Sequence, residues 1–380
     1  MKEFGFNYSG VKLYFGKGSV NKLKEQLKPY SYFIIATSKT GARVSGALDD
    51  VKAALDQINS KYIIYDGITP NPTTDQAQEI AQMSWENGAE AFIAIGGGSV
   101  IDAAKMASVI HKNGGNAKDY LYFNRRASKG KPLFAINLTH GTGTEIDRYA
   151  VLTDEKGQKR GISLIYPAAS ADDPSYMTTL PRNQTVYTSL DAFYHSYESM
   201  TRLTATPMVE MLAKEAIGKI SEWLPKCLND LKEIEARYWL LYSSMLAGVA
   251  IDMEGTHIIH MLEHALSGKN PKVPHGAGLA MLGARAIYYT HKLNPVKSAE
   301  ALKAISPVIK PVADDADVAQ KIVEGFQKEV GFSERLSDYG FTDRELLKMV
   351  DELAPGGVVP RREFMPMDRE MLTDIMLKSL

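Results

Sequence analysis

The sequence predicts an α/β domain with a mostly parallel sheet, followed by an all-α domain. Two patterns carry that prediction. The first half alternates short apolar, β-branched runs with helical segments, whereas from about Pro181 onward long amphipathic helix patterns follow one another with almost no strand signal. In chain order the strand runs are "YFIIAT" (32–37), "KYIIYD" (61–66), "AFIAIG" (91–96) and "PLFAIN" (132–137), each closed by turn residues. Helical patterns at 75–87 and 99–112 lie between them. Strands that are apolar throughout imply a sheet covered on both faces. "ADDPSYMTTLPRNQ" (171–184), rich in Pro, Asp and Thr, is the expected boundary, giving domains 1–179 and 180–380. Beyond it the helical patterns run at 207–223, 233–252, 257–266, 277–290, 314–329 and 343–352.

Length agrees with two domains, since 380 residues exceed what a single core commonly holds. Net charge is −1 and the cations are dispersed among acids, which argues against a nucleic-acid or membrane-surface partner. The opening "MKEFGFNYSG" has no apolar signal core, and no apolar run is long enough to span a bilayer. Cys227 is the one cysteine, so an internal disulfide is excluded and a cytoplasmic location is expected. Any metal site must therefore be built from histidine and carboxylate rather than from a thiolate cluster.

"AFIAIGGGSVIDAAK" reads as a strand, then Gly96-Gly97-Gly98, then a helix opened by Ser99. Glycines let backbone approach a phosphate, and a helix start supplies free N–H groups and the positive end of its dipole. A tight turn that binds nothing has the same letters, and no G-x-G-x-x-G follows the first strand. A second loop, "NLTHGTGTE" (137–145), offers hydroxyls and amides after another strand. Two such loops in one sheet point to a cofactor bearing a pyrophosphate.

Half of the eight histidines fall in "THIIHMLEHALSGKNPKVPHG" (256–276). His260 and His264 are four apart on a helical pattern and so share a face; Asp191 and His195 in "SLDAFYHSYES" do the same. Together with His275 these can form a nitrogen-rich shell with one carboxylate, suited to Fe(II) or Zn(II) and wrong for Ca or Mg. Either pair alone is more commonly a coincidence of packing. The same letters "HMLEH" also match the H-x-x-E-H pattern of a zinc peptidase, with Glu263 as its base.

"TPNPT" (69–73), "GGGSVIDAAK" (96–105), "THGTGTE" (139–145), "LDAFYHSYES" (190–199) and "HMLEHALSG" with "VPHG" together resemble the iron-containing (group III) alcohol dehydrogenases of the dehydroquinate synthase-like fold. The resemblance covers nearly the whole chain. It implies a dinucleotide-binding α/β domain facing a helical metal domain across a cleft, and commonly a dimer or larger homo-oligomer. It implies Asp191, His195, His260 and His275 as ligands of one divalent ion, Fe2+ before Zn2+. His264 would lie off the metal as a proton handler, and His257 would have no family role and would pack or face solvent. Asn71, Gly97, Gly98, Ser99, Asp102, Thr139 and Thr142 would surround the cofactor, Asp102 also counting among the catalytic residues. Lys159, or Arg160 one residue on, would be the basic cofactor contact. The reaction implied is hydride transfer between a nicotinamide and a small primary alcohol, diol or aldehyde.

Several positions depart from the family pattern. Members that use NAD often carry an Asp after the first strand to hold the ribose 2′-hydroxyl. Here Ser38 stands there with Lys39 beside it, which removes repulsion toward a 2′-phosphate and favours NADP(H) over NAD(H). His140 replaces a small residue, Ile251 stands near a usual aromatic, and Arg148 could attract an acidic substrate but is expected instead to pair with adjacent Asp147. A lyase of the dehydroquinate synthase kind shares fold and metal, but it needs several basic residues around a phosphorylated, carboxylated substrate, and few stand near Asp191 and His260. A non-catalytic binding protein would not need four ligands.

Overall fold

Residues 1–127, 129–359 and 365–380 are described by a computed structural model. In chain order the first half comprises β1 (Phe4–Tyr8), β2 (Val11–Phe15), α1 (Ser19–Leu27), β3 (Tyr32–Thr37), α2 (Gly41–Val44), α3 (Ala47–Gln57), β4 (Lys61–Tyr65), α4 (Thr74–Glu86), β5 (Ala91–Gly96), α5 (Gly98–Asn113), α6 (Ala117–Leu121), β6 (Leu133–Asn137), β7 (Tyr149–Thr153), β8 (Lys159–Ser163) and β9 (Ala169–Asp172). The second half holds α7 (Arg182–Thr201), α8 (Pro207–Asn229), α9 (Ile234–Glu254), α10 (Ile258–Lys269), α11 (His275–Leu293), α12 (Pro295–Leu302), α13 (Ala316–Glu329), α14 (Asp343–Leu353) and α15 (Arg369–Lys378). The expected class, a mostly parallel α/β half followed by a helical half, is the one observed. The boundary stretch is not a linker throughout, because Ala171 and Asp172 complete β9.

The main sheet runs β1-β2-β9-β6-β5-β3-β4, parallel except for the β1–β2 hairpin at its edge. Its strands alternate between two apolar layers. Ile34, Ala36, Phe92 and Ala94 pack with α4 and α5, whereas Phe33, Ile35, Ile93 and Ile95 pack with α1 and α3. A polar residue at any of these positions would be buried on either face, which explains the uninterrupted apolar runs.

The strand order reverses between β3 and β5. β4 lies outside β3, while β5, β6 and β9 follow on its other side. Register aligns Thr37 with Ile95 and Gly96 with Asn137. The loops after these strands, carrying Ser38, Gly97 and Thr139, therefore emerge side by side at the carboxyl edge. That reversal is where open α/β sheets bind their ligands.

In the helical half, α7 is buried along almost its whole length from Thr185 onward. It is a central helix rather than an amphipathic surface one. α9 also carries Tyr238, Leu241 and Met245 against Val11, Leu13 and Phe15 of the β1–β2 hairpin, joining the halves through an apolar cluster. Among the described residues no helix is long and apolar enough to cross a membrane.

Candidate active site

Three helices bring four predicted ligands to one point. Asp191 and His195 lie one turn apart on α7, His260 lies in the first turn of α10, and His275 opens α11. The approach of α11 to α7 requires glycine at 276. A Cβ there would fall inside the carbonyl of Tyr187.

The Nε2 atoms of His195, His260 and His275 lie 3.5, 3.6 and 3.7 Å from Asp191 Oδ1. Bonds of about 2.0–2.1 Å to a tetrahedral ion imply ligand separations of about 3.3–3.5 Å, close to these spacings. Asp191 Oδ1 and His260 Nε2 are buried without a hydrogen-bond partner. Orphaned donors and acceptors of this kind are costly unless something else satisfies them. The donor set, the spacing and the orphaned atoms all fit a divalent cation.

The electrostatics point the same way. Burial raises the Asp191 carboxyl, but the three imidazoles outweigh it and hold it at about 2. Burial pushes His195 down to about 4 and takes His275 well below its ordinary value. His260 is the exception: burial opposes its charge, but Glu198 and Asp191 raise it to about 9. A divalent ion held here would take the place of the proton on His260 Nε2.

Glu198 is a residue that sequence reasoning passed over. Its Oε2 is in short contact with His260 Nδ1, and Oε1 accepts from the Ile259 amide at 2.6 Å. A carboxylate only accepts, so His260 keeps a proton on Nδ1, which leaves Nε2, facing Asp191, as the nitrogen that would give its lone pair to a cation. The signal was present, since Glu198 lies three residues after His195 and seven after Asp191 on one helix face. His257 is packed, as expected, but it is also tied to this network, 3.3 Å from Glu198 Oε1 and 2.8 Å from Thr201 Oγ1.

His264 is set apart from the four. Its ring centre lies 5.5 Å from that of His275 and 6.3 Å from that of His260, and burial followed by the charge of Lys159 keeps it neutral. Glu263, the base of the peptidase pattern, is fully buried against His275 and Lys159 and faces no open site.

At the sheet edge, α5 starts with no side-chain cap. Its glycines interlock with the second loop: a Cβ on Gly97 would lie 2.7 Å from Thr139 Oγ1, and one on Gly98 would lie 2.5 Å from Thr142 Cγ2. Ser99 follows, half-buried in the first helical turn. Bare N–H groups beside hydroxyls at a sheet's reversal point fit a pyrophosphate. Asp102, one turn further, has both oxygens engaged, accepting from Thr144 Oγ1 at 2.7 Å and from the Val151 amide at 2.9 Å. Ser38 and exposed Lys39 lie beyond β3. Asn71 and Lys159 meet on the metal side, Lys159 Nζ donating to Asn71 Oδ1 at 3.0 Å, whereas Arg160 points outward over the Tyr122 ring. The expected Arg148–Asp147 pair does not form. Buried Lys105 takes Asp147 at 2.9 Å, while Arg148 reaches Asp252 at 3.3 Å, because successive residues entering β7 face opposite ways.

Residues 10–174 match the family model described as iron-containing alcohol dehydrogenase, and residues 185–380 match that of the family's C-terminal domain. The chain belongs to the iron-containing alcohol dehydrogenase family. It is thus an oxidoreductase that works with a metal and a nicotinamide cofactor. A long-chain primary alcohol dehydrogenase of Thermoanaerobacter ethanolicus is 40% identical over 89% of this chain and 87% of its own. A probable NADH-dependent butanol dehydrogenase of Bacillus subtilis is 27% identical over the full length of both. Among solved structures, the NADH-dependent butanol dehydrogenase A of Thermotoga maritima superposes with a TM-score of 0.89 at 26% identity, covering 100% of this chain and 99% of that one.

Proposed function

We propose that this alcohol dehydrogenase interconverts small primary alcohols or diols and their aldehydes, with NADP(H) preferred over NAD(H) and Fe2+ as the resident ion, Zn2+ being a workable substitute. The observation that carries the reading is the convergence of three imidazole Nε2 atoms on Asp191 Oδ1, in a fold whose α5 start fits a pyrophosphate. Bound there, a divalent ion supplies Lewis-acid polarisation of the substrate oxygen and the nicotinamide supplies the hydride chemistry.

The chain's own residues do the rest. Asp191, His195, His260 and His275 hold the ion, and Glu198 keeps the His260 lone pair aimed at it. His264, neutral and half-buried beside His275, takes or returns the hydroxyl proton at a ring nitrogen. Gly97, Gly98 and Ser99 bind pyrophosphate through backbone N–H groups, Thr139 and Thr142 line the facing loop, and Asp102 braces α5 against β7 so that this cradle keeps its shape. Asn71 and Lys159, which the family resemblance puts beside the cofactor, stand on the metal side next to His275. Ser38 with Lys39 accepts a 2′-phosphate where a carboxylate would repel it. The same reading puts the domain boundary at 179/180 and describes a cytoplasmic homo-oligomer acting on a small molecule, with neither nucleic acid nor membrane as partner.

The test is nicotinamide oxidation by anaerobically Fe(II)-loaded protein with a short aldehyde. Turnover should be faster with NADPH than with NADH at limiting cofactor and should vanish on chelation. Turnover that favours NADH would overturn the Ser38 argument, and turnover that survives complete metal removal would overturn the metal centre.

A further inference from the structure

His275 differs from the other three ligands in how it is held. Asp191, His195 and His260 sit within helices packed on their neighbours, whereas His275 is the first residue of α11, after the loop that follows α10. Its ring therefore needs support from elsewhere.

That support comes from both halves of the molecule. Glu263 Oε2 is in short contact with His275 Nδ1. The same oxygen accepts from Lys159 Nζ at 3.3 Å, and the amine also donates to Ser267 Oγ at 2.9 Å and to Asn71 Oδ1 at 3.0 Å. Asn71 in turn donates through Nδ2 to the carbonyls of Pro271 and Val273, at 3.1 and 3.4 Å, in the loop that leads into His275. The Glu263 side chain is wholly buried and that of Lys159 is 4% exposed. Among the described residues Glu263, His264 and His275 form a second group close enough to hold a cation. Lys159 Nζ already stands 3.3 Å from two of its members, so the chain supplies that positive charge itself.

We propose that Glu263, Lys159 and Asn71 are positioning residues that fix the ring of His275 for the metal centre, a role resting on the metal-site reading above. The geometry follows from donor counting. A carboxylate only accepts and an ammonium only donates, so the hydrogen between Glu263 and His275 belongs to the imidazole Nδ1. The lone pair is then on Nε2, which faces Asp191 Oδ1 at 3.7 Å. Lys159 offsets the charge of a carboxylate that would otherwise be buried alone. Asn71 anchors the loop from the side of the α/β half. Lys159 and Asn71 thereby act on the metal side of the cleft, and the two roles for Lys159 make opposite predictions.

The experiment is Co(II) titration of metal-stripped protein, read by the visible d–d bands and by chelator competition. The variants are His260→Ala, Glu263→Leu, Glu263→Gln and Lys159→Met, with NADPH affinity measured on each stripped protein. Glu263→Leu should weaken Co(II) binding about 10–100-fold and alter the d–d spectrum. Glu263→Gln, whose amide oxygen still accepts from Nδ1–H, should recover most of the loss. Lys159→Met should weaken Co(II) binding about 10-fold while NADPH affinity holds. Co(II) affinity unchanged in His260→Ala would refute the metal centre itself. Co(II) binding lost in His260→Ala but of wild-type strength in both Glu263 variants would refute the positioning role alone. A Lys159→Met protein that loses NADPH and keeps Co(II) would return Lys159 to the cofactor.

Discussion

A single buried cation shows how far residue-level reasoning reaches. Arg237 is wholly buried, and its guanidinium meets neutral acceptors: the Leu231 and Leu180 carbonyls, Thr185 Oγ1 at 2.9 Å and His140 Nε2 at 2.9 Å. A guanidinium cannot accept, so His140 must present a lone pair at Nε2 and carry its proton on Nδ1, toward Ser189 and Thr188. Burial, then the adjacent Arg237, push His140 down to about 3. The sign is that of a depressed group. The neutral form is favoured by folding, so the stabilisation is complete above about pH 6.5 and is lost as pH falls toward 3. At pH 5 the loss is about 2 kcal/mol. Urea unfolding of chelated protein between pH 6.5 and 4.5 should therefore show a slope about one proton shallower in His140→Asn than in wild type. Equal slopes would mean that His140 is not held neutral. The sequence marked His140 as an unusual letter, but its partner lies 97 residues away, and no local pattern links the two.

Strands were legible where an unbroken apolar run forms them, and not where the run is short or polar, as in buried β9, "ASAD". β5 and β6 are buried throughout, β3 from Phe33 onward, and all three read as unbroken apolar runs. β8, "KRGIS", is largely exposed and mixes charge with glycine, so it gives no alternation to detect; β1, "FGFNY", alternates aromatics with Gly and Asn but is short and largely exposed. α7 is the opposite failure. It is buried on all sides yet rich in Ser, Thr and Tyr, so it lacks an apolar stripe, and only the four-residue spacing of Asp191 and His195 revealed it. The candidate pairs Asp191/His195 and His260/His264 were visible because helical spacing is local, and the family resemblance then chose the ligands among these and His275. Their carboxylate supports were harder to assign: Glu198 shares the ligand face of α7, but the histidines that Glu198 and Glu263 support depend on which helices meet. The meeting of α7 and α11 can be tested at Gly276. Gly276→Ala should cost about 1–3 kcal/mol by overpacking and should also weaken Co(II) binding, since His275 moves with the start of α11. Gly325→Ala, in α13 with nothing within 4 Å of its added Cβ, should instead stabilise by about 0.5–1 kcal/mol. Chemical denaturation of both distinguishes packing from helix propensity. A Gly276→Ala protein as stable as wild type would show that the helices have room to part.

At the scale of the whole molecule, the two ligand sites are built by different halves. All four candidate ligands come from α7, α10 and α11, whereas the pyrophosphate cradle comes from the loops after β5 and β6. The hairpin of β7 and β8 and the loop around Asn71 cross between them, so the halves communicate through Lys159 and Asn71 rather than through a shared ligand. This division predicts separable stabilisation. A ligand held at 100 times its Kd adds about 2.7 kcal/mol to the folded state, which for a chain of this length raises Tm by about 3 °C. Thermal unfolding of stripped protein with Co(II), with NADPH and with both should show two increments of that size that add. His260→Ala should erase the Co(II) increment and leave the NADPH one in place. If the NADPH increment disappears as well, the cofactor depends on an intact metal centre, and the cleft is one site rather than two.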